Sequence, residues 1–279
     1  MFNLAEAILS ACFIMNPDQP LKIFHPIQVK GLQRLGHKYD GGYIVHFPSL
    51  KDADYLLNYG VGYNVDFEKD FFKKTGIPTL AFDPTLKDIS VVVGKLLKGQ
   101  IIPFLRHLKN YTCWPSKERK LKDYKINFIE EGIAATDTEL YKSVAYHLKK
   151  HGLTDKKIIL KIDVEGAEYP VFNDPAIYDL LPNCIQIIME IHELEKNMPD
   201  LITIMNKISK THSLIHIHAN NHAGTFEYDG KNVPDAIEVT FLLNDYIPEK
   251  KYATQAYPLP GLDQPCDRKK EDIALDFFL

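Results

Sequence analysis

The sequence predicts an α/β domain built on a Rossmann-like, mostly parallel sheet with one antiparallel strand. Three observations carry that expectation. Short apolar runs of strand length alternate along the chain with longer helix-like stretches. The run over 157–162 is apolar enough for a strand buried on both faces. The first clear core strand leads into Gly60-Val61-Gly62, the kind of tight turn that joins strand to helix in doubly wound sheets.

The elements follow in order. A strand over 55–59 precedes a helix over 66–75 with Phe67, Phe71 and Phe72 as its apolar residues. Asp66 and Glu68 mark the start of that helix, and Lys73, Lys74 and Gly76 its end, as the helix dipole favours. The second strand, 78–82, closes on Asp83-Pro84. Further strands are expected over 125–129, 157–162, 184–191 and 213–219, with helices over 140–151 and 198–210. A last strand over 236–243 is expected to return antiparallel to the one before it.

At 279 residues, 45% hydrophobic and 25% charged, the chain suits one large domain with extensions. The expected division is an N-terminal helical extension over 1–30, the sheet domain over 31–245 and a tail over 246–279. The tail is rich in proline and charge and is expected to lie along the surface. Residues 2–15 read as an amphipathic helix that packs on the domain or forms a homodimer contact. That stretch lacks a basic leader and is shorter than the roughly 20 apolar residues a bilayer span needs. No membrane span and a cytoplasmic location are therefore expected. Cys12, Cys113, Cys184 and Cys266 lie far apart and read as free thiols. The net charge of −4 does not call for a nucleic-acid partner. Within it, 86–125 stands out as a basic insertion, with ten basic residues against three acidic ones. It reads either as a solvated surface helix pair or as a basic wall for a phosphorylated or nucleotide-linked substrate.

A glycine turn after a first strand brings backbone N–H groups close to a ligand. Here Gly60 and Gly62 have no third glycine at the dinucleotide spacing, and Val65 stands where that fingerprint wants Gly or Ala. A ligand without a pyrophosphate at the turn is favoured. Asp83 lies about 20 residues on, where such sheets grip ribose hydroxyls with a carboxylate, although it also suits a plain turn before Pro84. Together these point to an adenosine-bearing ligand, S-adenosylmethionine rather than NAD, with Gly132 and Ile133 placed to cover the adenine.

Ligands in open α/β sheets sit at the carboxyl ends of the strands. Three such ends are polar here: Asp163-Val164-Glu165-Gly166-Ala167-Glu168, Glu190-Ile191-His192-Glu193 and His216-Ile217-His218-Ala219-Asn220-Asn221. Buried polar groups need partners or a task. Each residue alone also has a plain structural reading: Glu165 or Glu168 as a helix cap, His216 as a satisfied core imidazole. Taken as a cluster, His192 or His218 is the candidate general base for an alcohol acceptor, and Asp163 orients the acceptor or shares the proton. Glu165, Glu190, Asn220 and Asn221 are candidate substrate contacts. Asp163, Glu190 and His192 alternatively form an O/N set suited to Mg²⁺ or Mn²⁺.

The run Leu160-Lys161-Ile162-Asp163-Val164-Glu165-Gly166-Ala167-Glu168 resembles the hallmark of FkbM-type methyltransferases. Asp40-Gly41-Gly42-Tyr43-Ile44-Val45, Tyr59-Gly60-Val61-Gly62, Phe82-Asp83-Pro84-Thr85 and His216-Ile217-His218-Ala219-Asn220-Asn221 look like the subset found with bacterial surface-polysaccharide synthesis. The resemblance spans about residues 30–245. It implies a class I methyltransferase sheet, S-adenosylmethionine as donor and O-methylation. By position it assigns Gly60, Gly62 and Asp83 to the donor and Asp163 to the reaction centre. Asp40, Gly41, Gly42 and Tyr43 become either a hairpin turn or a lid over the methionine end of the donor. The acceptor implied is a nucleotide-linked sugar, of the GDP-heptose type in capsule polysaccharide synthesis. Two other readings remain: an NAD-dependent sugar oxidoreductase, and a nucleotide- or glycan-binding module without catalysis.

Overall fold

The structure is a computed structural model that describes residues 19–98 and 100–279. The helix expected over 2–15, and Cys12 with it, lies outside the described residues. Strands β1 (Leu32–Gly36) and β2 (Gly42–His46) form an antiparallel hairpin, followed by a single turn of helix α1 (Phe47–Leu50). Then come β3 (Tyr55–Tyr59), α2 (Asp66–Thr75) and β4 (Thr79–Phe82). The insertion is a pair of helices, α3 (Ile89–Leu97) and α4 (Ile101–Leu121). After it come β5 (Ile126–Ile129), the short β6 (Gly132–Ile133) and β7 (Tyr141–Lys142), α5 (Val144–Lys150) and β8 (Ile158–Ile162). Helices α6 (Glu168–Asn173) and α7 (Ala176–Leu180) precede β9 (Cys184–Ile191) and α8 (Leu194–Ile208). The chain then forms β10 (His212–Ala219), the hairpin β11 (Thr225–Tyr228) with β12 (Lys231–Pro234), and β13 (Ile237–Leu243).

Seven strands make one sheet in the order β10-β13-β9-β8-β3-β4-β5. All pairings are parallel except those of β13, which runs antiparallel to both β9 and β10. The expected mostly parallel class I sheet with one reversed strand is borne out. β3 and β8 sit side by side at its centre, so the turn after β3 and the residues after β8 open on the same crevice. β8 is buried at every position, as its apolar run requires.

Local chemistry accounts for the elements around the site. α2 buries Phe67 and Phe71, carries acids in its first turn and lysines in its last, and stops at Gly76 with a left-handed φ of 73°. α3 starts where Asp88 accepts a hydrogen bond from the Ser90 N–H, an N-cap. One core layer joins α5, α6 and α8 to one face of the sheet, and a second buries the β1–β2 hairpin and α2 against the other.

The tail corrects its expectation. Ala253, Tyr257, Leu275, Phe277 and Phe278 are buried in the main core, Cys266 is buried beside Glu238, and the Phe277 ring meets Phe24 edge-on with centroids 5.6 Å apart. Charge and proline made 246–279 read as solvated. Its scattered aromatic and apolar residues instead close over the outer strand β10, whose imidazoles would otherwise face water.

Candidate functional site

Two loops meet where β3 and β8 end. Gly60 has a φ of 78°, and a Cβ there would lie 1.6 Å from the carbonyl oxygen of Asp163. Only glycine lets the turn after β3 pass this close to the Asp163 backbone, whose N–H donates to Tyr59 O at 3.0 Å. The Gly62 N–H then donates to Asp83 Oδ2 at 2.8 Å. Asp83 Oδ1 accepts from the Thr85 N–H (2.8 Å) and hydroxyl (2.6 Å), so the carboxylate is held rigidly at the tip of β4. Asp83 organises the turn before Pro84 and also lines the crevice.

That crevice is a cavity of about 830 Å³, room for a nucleoside and a second small molecule. Its lining includes the predicted Asp40, Gly41, Tyr43, Gly60, Gly62, Asp83, Gly132, Ile133, Asp163, Glu165, Glu190, His192 and Asn220. Phe82, Pro84, Ile133 and Tyr141 give one end apolar walls. The other end gathers charge. Six carboxylates face the cavity, from Asp40, Glu68, Asp83, Asp163, Glu165 and Glu190, against one lysine, Lys161.

At the charged end Tyr43 is the hub. Its hydroxyl lies 2.8 Å from Asp163 Oδ2 and 3.0 Å from Glu190 Oε2. A phenol has one proton to donate, so both contacts are satisfied only if one carboxyl group is itself protonated and donates to the phenol oxygen. Burial, and then the neighbouring Glu190, push Asp163 up to about 7 despite the Lys161 ammonium 3.8 Å away. Burial pushes Glu190 up as well, but the His192 ring and the Asn220 amide, which donates at 2.5 Å, outweigh it and hold Glu190 low. Asp163 is therefore the proton-carrying partner, and its side chain remains 22% exposed to the cavity.

His192 corrects the expectation of a neutral base. Its Nδ1 lies 3.1 Å from Glu168 Oε1, and its Nε2 lies 3.5 Å from Glu190 and 3.7 Å from Glu165. Burial opposes its charge, yet the bonds to Glu168 and Glu190 dominate and push it up to about 11. At neutral pH it is an imidazolium with no lone pair to accept a proton. Glu168 does more than begin α6: it is buried and also accepts from the Val164 N–H.

Three other assignments are overturned. His218 is buried away from the cavity, with Nδ1 3.3 Å from Glu238 and Nε2 3.1 Å from Asp272 of the tail. It cannot act as a base on a substrate it does not face. Asn221 donates to the Asp267 and Glu271 carbonyls and accepts from the Asp267 N–H at 2.6 Å, so it ties down the tail rather than a substrate. Gly42 is a packing residue of the β1–β2 hairpin, since a Cβ there would lie 2.0 Å from His37 O. The physical reason for the first two is the sheet order. β13 intervenes between β10 and the reacting strands, and only Asn220, just past the end of β10, reaches back to Glu190. The basic insertion likewise forms the expected helix pair, but of its residues only Leu86, Val91 and His107 line the cavity, and none of its lysines or arginines does.

Several residues of the site were not singled out from the sequence. Lys161 is buried, with its ammonium 4.0 Å from the Tyr43 ring centroid. Glu68, bonded to the buried Asn58, is pushed up to about 7 by burial. A lysine inside the apolar run of β8 was the available signal. For a divalent ion, Asp163, Glu165 and His192 bring ligand atoms within 4.8 Å of one another, and Glu168 backs the far nitrogen of the ring. The expected set differs by one residue, because the Glu190 oxygens are engaged by Tyr43, Asn220 and His192.

Residues 109–220 match the family model described as the Methyltransferase FkbM domain. The match supports an S-adenosylmethionine-dependent methyltransferase. No curated protein matches the chain. Among solved structures the chain is similar to a precorrin-6y C5,15-methyltransferase from Geobacter metallireducens, at 10% identity over 70% of this chain and 84% of that one, with a TM-score of 0.36. It is also similar to a chain of a fibrillarin/Nop5p complex, at 5% identity over 69% and 73% of the two chains, with a TM-score of 0.36. No helix among the described residues is long and apolar enough to cross a membrane.

Proposed function

We propose that this chain transfers the methyl group of S-adenosylmethionine to a hydroxyl of a sugar. The observation that carries the proposal is the Tyr43-bridged pair of Asp163 and Glu190 at the charged end of the cavity. A hydroxyl must lose its proton as it attacks, and a carboxylate whose proton affinity is raised towards neutrality is suited to take it. When bound, the donor supplies a methyl group already activated on a sulfonium sulfur, so positioning and removal of water do most of the remaining work.

The residues divide the task. Asp83 and the Gly62 turn hold the nucleoside end, and Ile133 with Tyr141 walls the base. The carboxylate-rich lining favours a cationic sulfonium and disfavours the dianionic pyrophosphate of NAD. In its ionised form, present from about pH 7 upward, Asp163 accepts the acceptor proton. His192, fixed as a cation by Glu168, keeps Glu190 ionised, and Glu190 in turn raises the proton affinity of Asp163.

A nucleotide-linked sugar of the GDP-heptose type, on the way to a capsule polysaccharide, is the acceptor class we favour, on the resemblance of the motifs alone. The acidic cavity adds a restriction: it suits the sugar itself, with the diphosphate left outside. Calorimetry with S-adenosylmethionine and with NAD, followed by a mass-spectrometric screen of sugar nucleotides for a gain of one methylene, tests the proposal. Binding of NAD alone would move the chain to the oxidoreductases. Binding of the donor with no transfer to any hydroxyl would leave a binding module. Loss of transfer in EDTA, restored by Mg²⁺ or Mn²⁺, would place an ion on Asp163, Glu165 and His192.

A further inference from the structure

The bases of the insertion are left without a task at the cavity, and the same helices carry a second anomaly. Leu97 is 82% exposed, Ile102 73%, Ile101 62% and Leu105 57%. Ile89, Val93 and Leu96 are also exposed, at helical spacings that place them on one face of α3. Monomeric soluble proteins rarely leave so contiguous an apolar patch in water.

The distribution of charge around the patch is one-sided. Between Asp88 and Glu118 the chain contains no acidic residue, whereas it contains Lys95, Lys98, Arg106, Lys109 and Lys117 in a protein of net charge −4. Lys117 is engaged with the Tyr63 carbonyl. Among the described residues, none of the other four forms an ion pair with a carboxylate. Their placement is ordered. Arg106 follows Ile102, and Lys109 follows Leu105, one helical turn further from the tip of the hairpin. Arg106 and Lys109 thus sit one turn behind the apolar groups, with Lys98 at the tip beside Leu97, where its long stem lets the ammonium reach back to headgroup level.

We propose that the α3–α4 hairpin docks this protein on an anionic lipid surface, with Leu97, Ile101, Ile102 and Leu105 entering the acyl boundary and Lys98, Arg106 and Lys109 meeting the headgroups. The hairpin lies on the membrane and does not cross it. Charge decides against a second copy as the occupant. A symmetric contact would bring two basic hairpin tips together, each without an acid between Asp88 and Glu118, like against like.

The test is co-sedimentation of the full chain with phosphatidylcholine vesicles, with and without phosphatidylglycerol. Binding is expected with phosphatidylglycerol present and should weaken as salt is raised. The double variant Leu97→Ser/Ile102→Ser should lower the bound fraction about tenfold, and Lys98→Glu/Arg106→Glu by a similar factor with loss of the salt dependence. All four side chains are exposed, so unchanged thermal unfolding will show that the fold is retained. No binding to anionic vesicles, binding indifferent to both double variants, or equal binding to phosphatidylcholine alone would overturn the proposal. So would light scattering that shows a dimer broken by Leu97→Ser/Ile102→Ser, which would give the patch to a second copy.

Discussion

Two arrays of buried carboxylates and imidazoles lie at the same end of this sheet, and they differ in what closes them. At the ends of β8 and β9, Asp163, Tyr43, Glu190 and His192 open on the cavity, and one phenol proton serves two carboxyl groups. On β10, His216 meets Asp263 at 2.9 Å and His218 lies between Glu238 and Asp272, with Cys266 donating to Glu238 at 3.5 Å. There the tail supplies the partners and covers the groups. The residue types are nearly the same. The first array has an oxygen able to gain or lose a proton facing an open space, and the second has its imidazole donors satisfied and no access. Buried polar groups thus divide into those that react and those that fasten, according to access and proton count rather than composition.

That contrast can be broken in four places. Asp163→Asn should have the largest effect, lowering turnover about 10²–10⁴-fold, the usual worth of a general base, with donor affinity measured by calorimetry nearly unchanged. Retained turnover would take the base away from Asp163.

His218→Gln should act in the opposite way. Removing one partner of a buried ion pair costs about 3–5 kcal/mol, and turnover per folded molecule should be preserved. The pH sign follows from the raised pKa. Burial alone would push His218 down, but its bonds to Asp272, Cys266 and Glu238 push it up to about 12. Its contribution to stability is complete below the unfolded value of about 6.5 and is lost progressively as pH rises towards 12. Denaturant midpoints should therefore fall more steeply above pH 6.5 in the wild type than in His218→Gln. Parallel curves would show that His218 carries no such charge.

Asp83→Ala should weaken donor binding by about 1.5–3 kcal/mol, the scale of a hydrogen bond to a charged group. Because Asp83 also anchors the Gly62 and Thr85 N–H groups, Asp83→Asn should lose less. Equal affinity in all three proteins would remove Asp83 from the donor site. The smallest effect is expected from Tyr43→Phe. The Tyr43 bond lowers the proton affinity of Asp163, so kcat/KM, which should rise with pH through about 7 in the wild type, should rise at higher pH in the variant. A profile without an acid limb would exclude a titrating Asp163.

Most of the sheet was legible in the sequence, because its signals are local. The apolar run of β8, the turn Gly60-Val61-Gly62 and the caps of α2 each act within a few residues. The glycine turn and the acid assigned to the proposed donor site were legible for the same reason, since Gly62 and Asp83 follow closely on the two strands they terminate. The proposed reacting end was legible only as a set of residue types. His192 and His218 look alike in sequence, each beside an apolar strand residue at a polar strand end, and nothing local distinguishes a cation clasped by Glu168 and Glu190 from a clamp on Asp272, 54 residues away. Lys161 was not singled out within the apolar run of β8, because nothing in that run shows that its ammonium comes to lie over the Tyr43 ring.

By itself the chain's order of residues determined the alternation of strands and helices, the glycine turn, the acid after the second strand and the basic insertion, since backbone preference and hydrophobic period need no distant partner. Only the tertiary structure decided which polar groups share a cavity, which of them carries the proton, and that the tail is core. Proton affinities and burial are set by neighbours brought together through the strand order, and β13, inserted between β9 and β10, is what separates the imidazole at the cavity from the fastening ones.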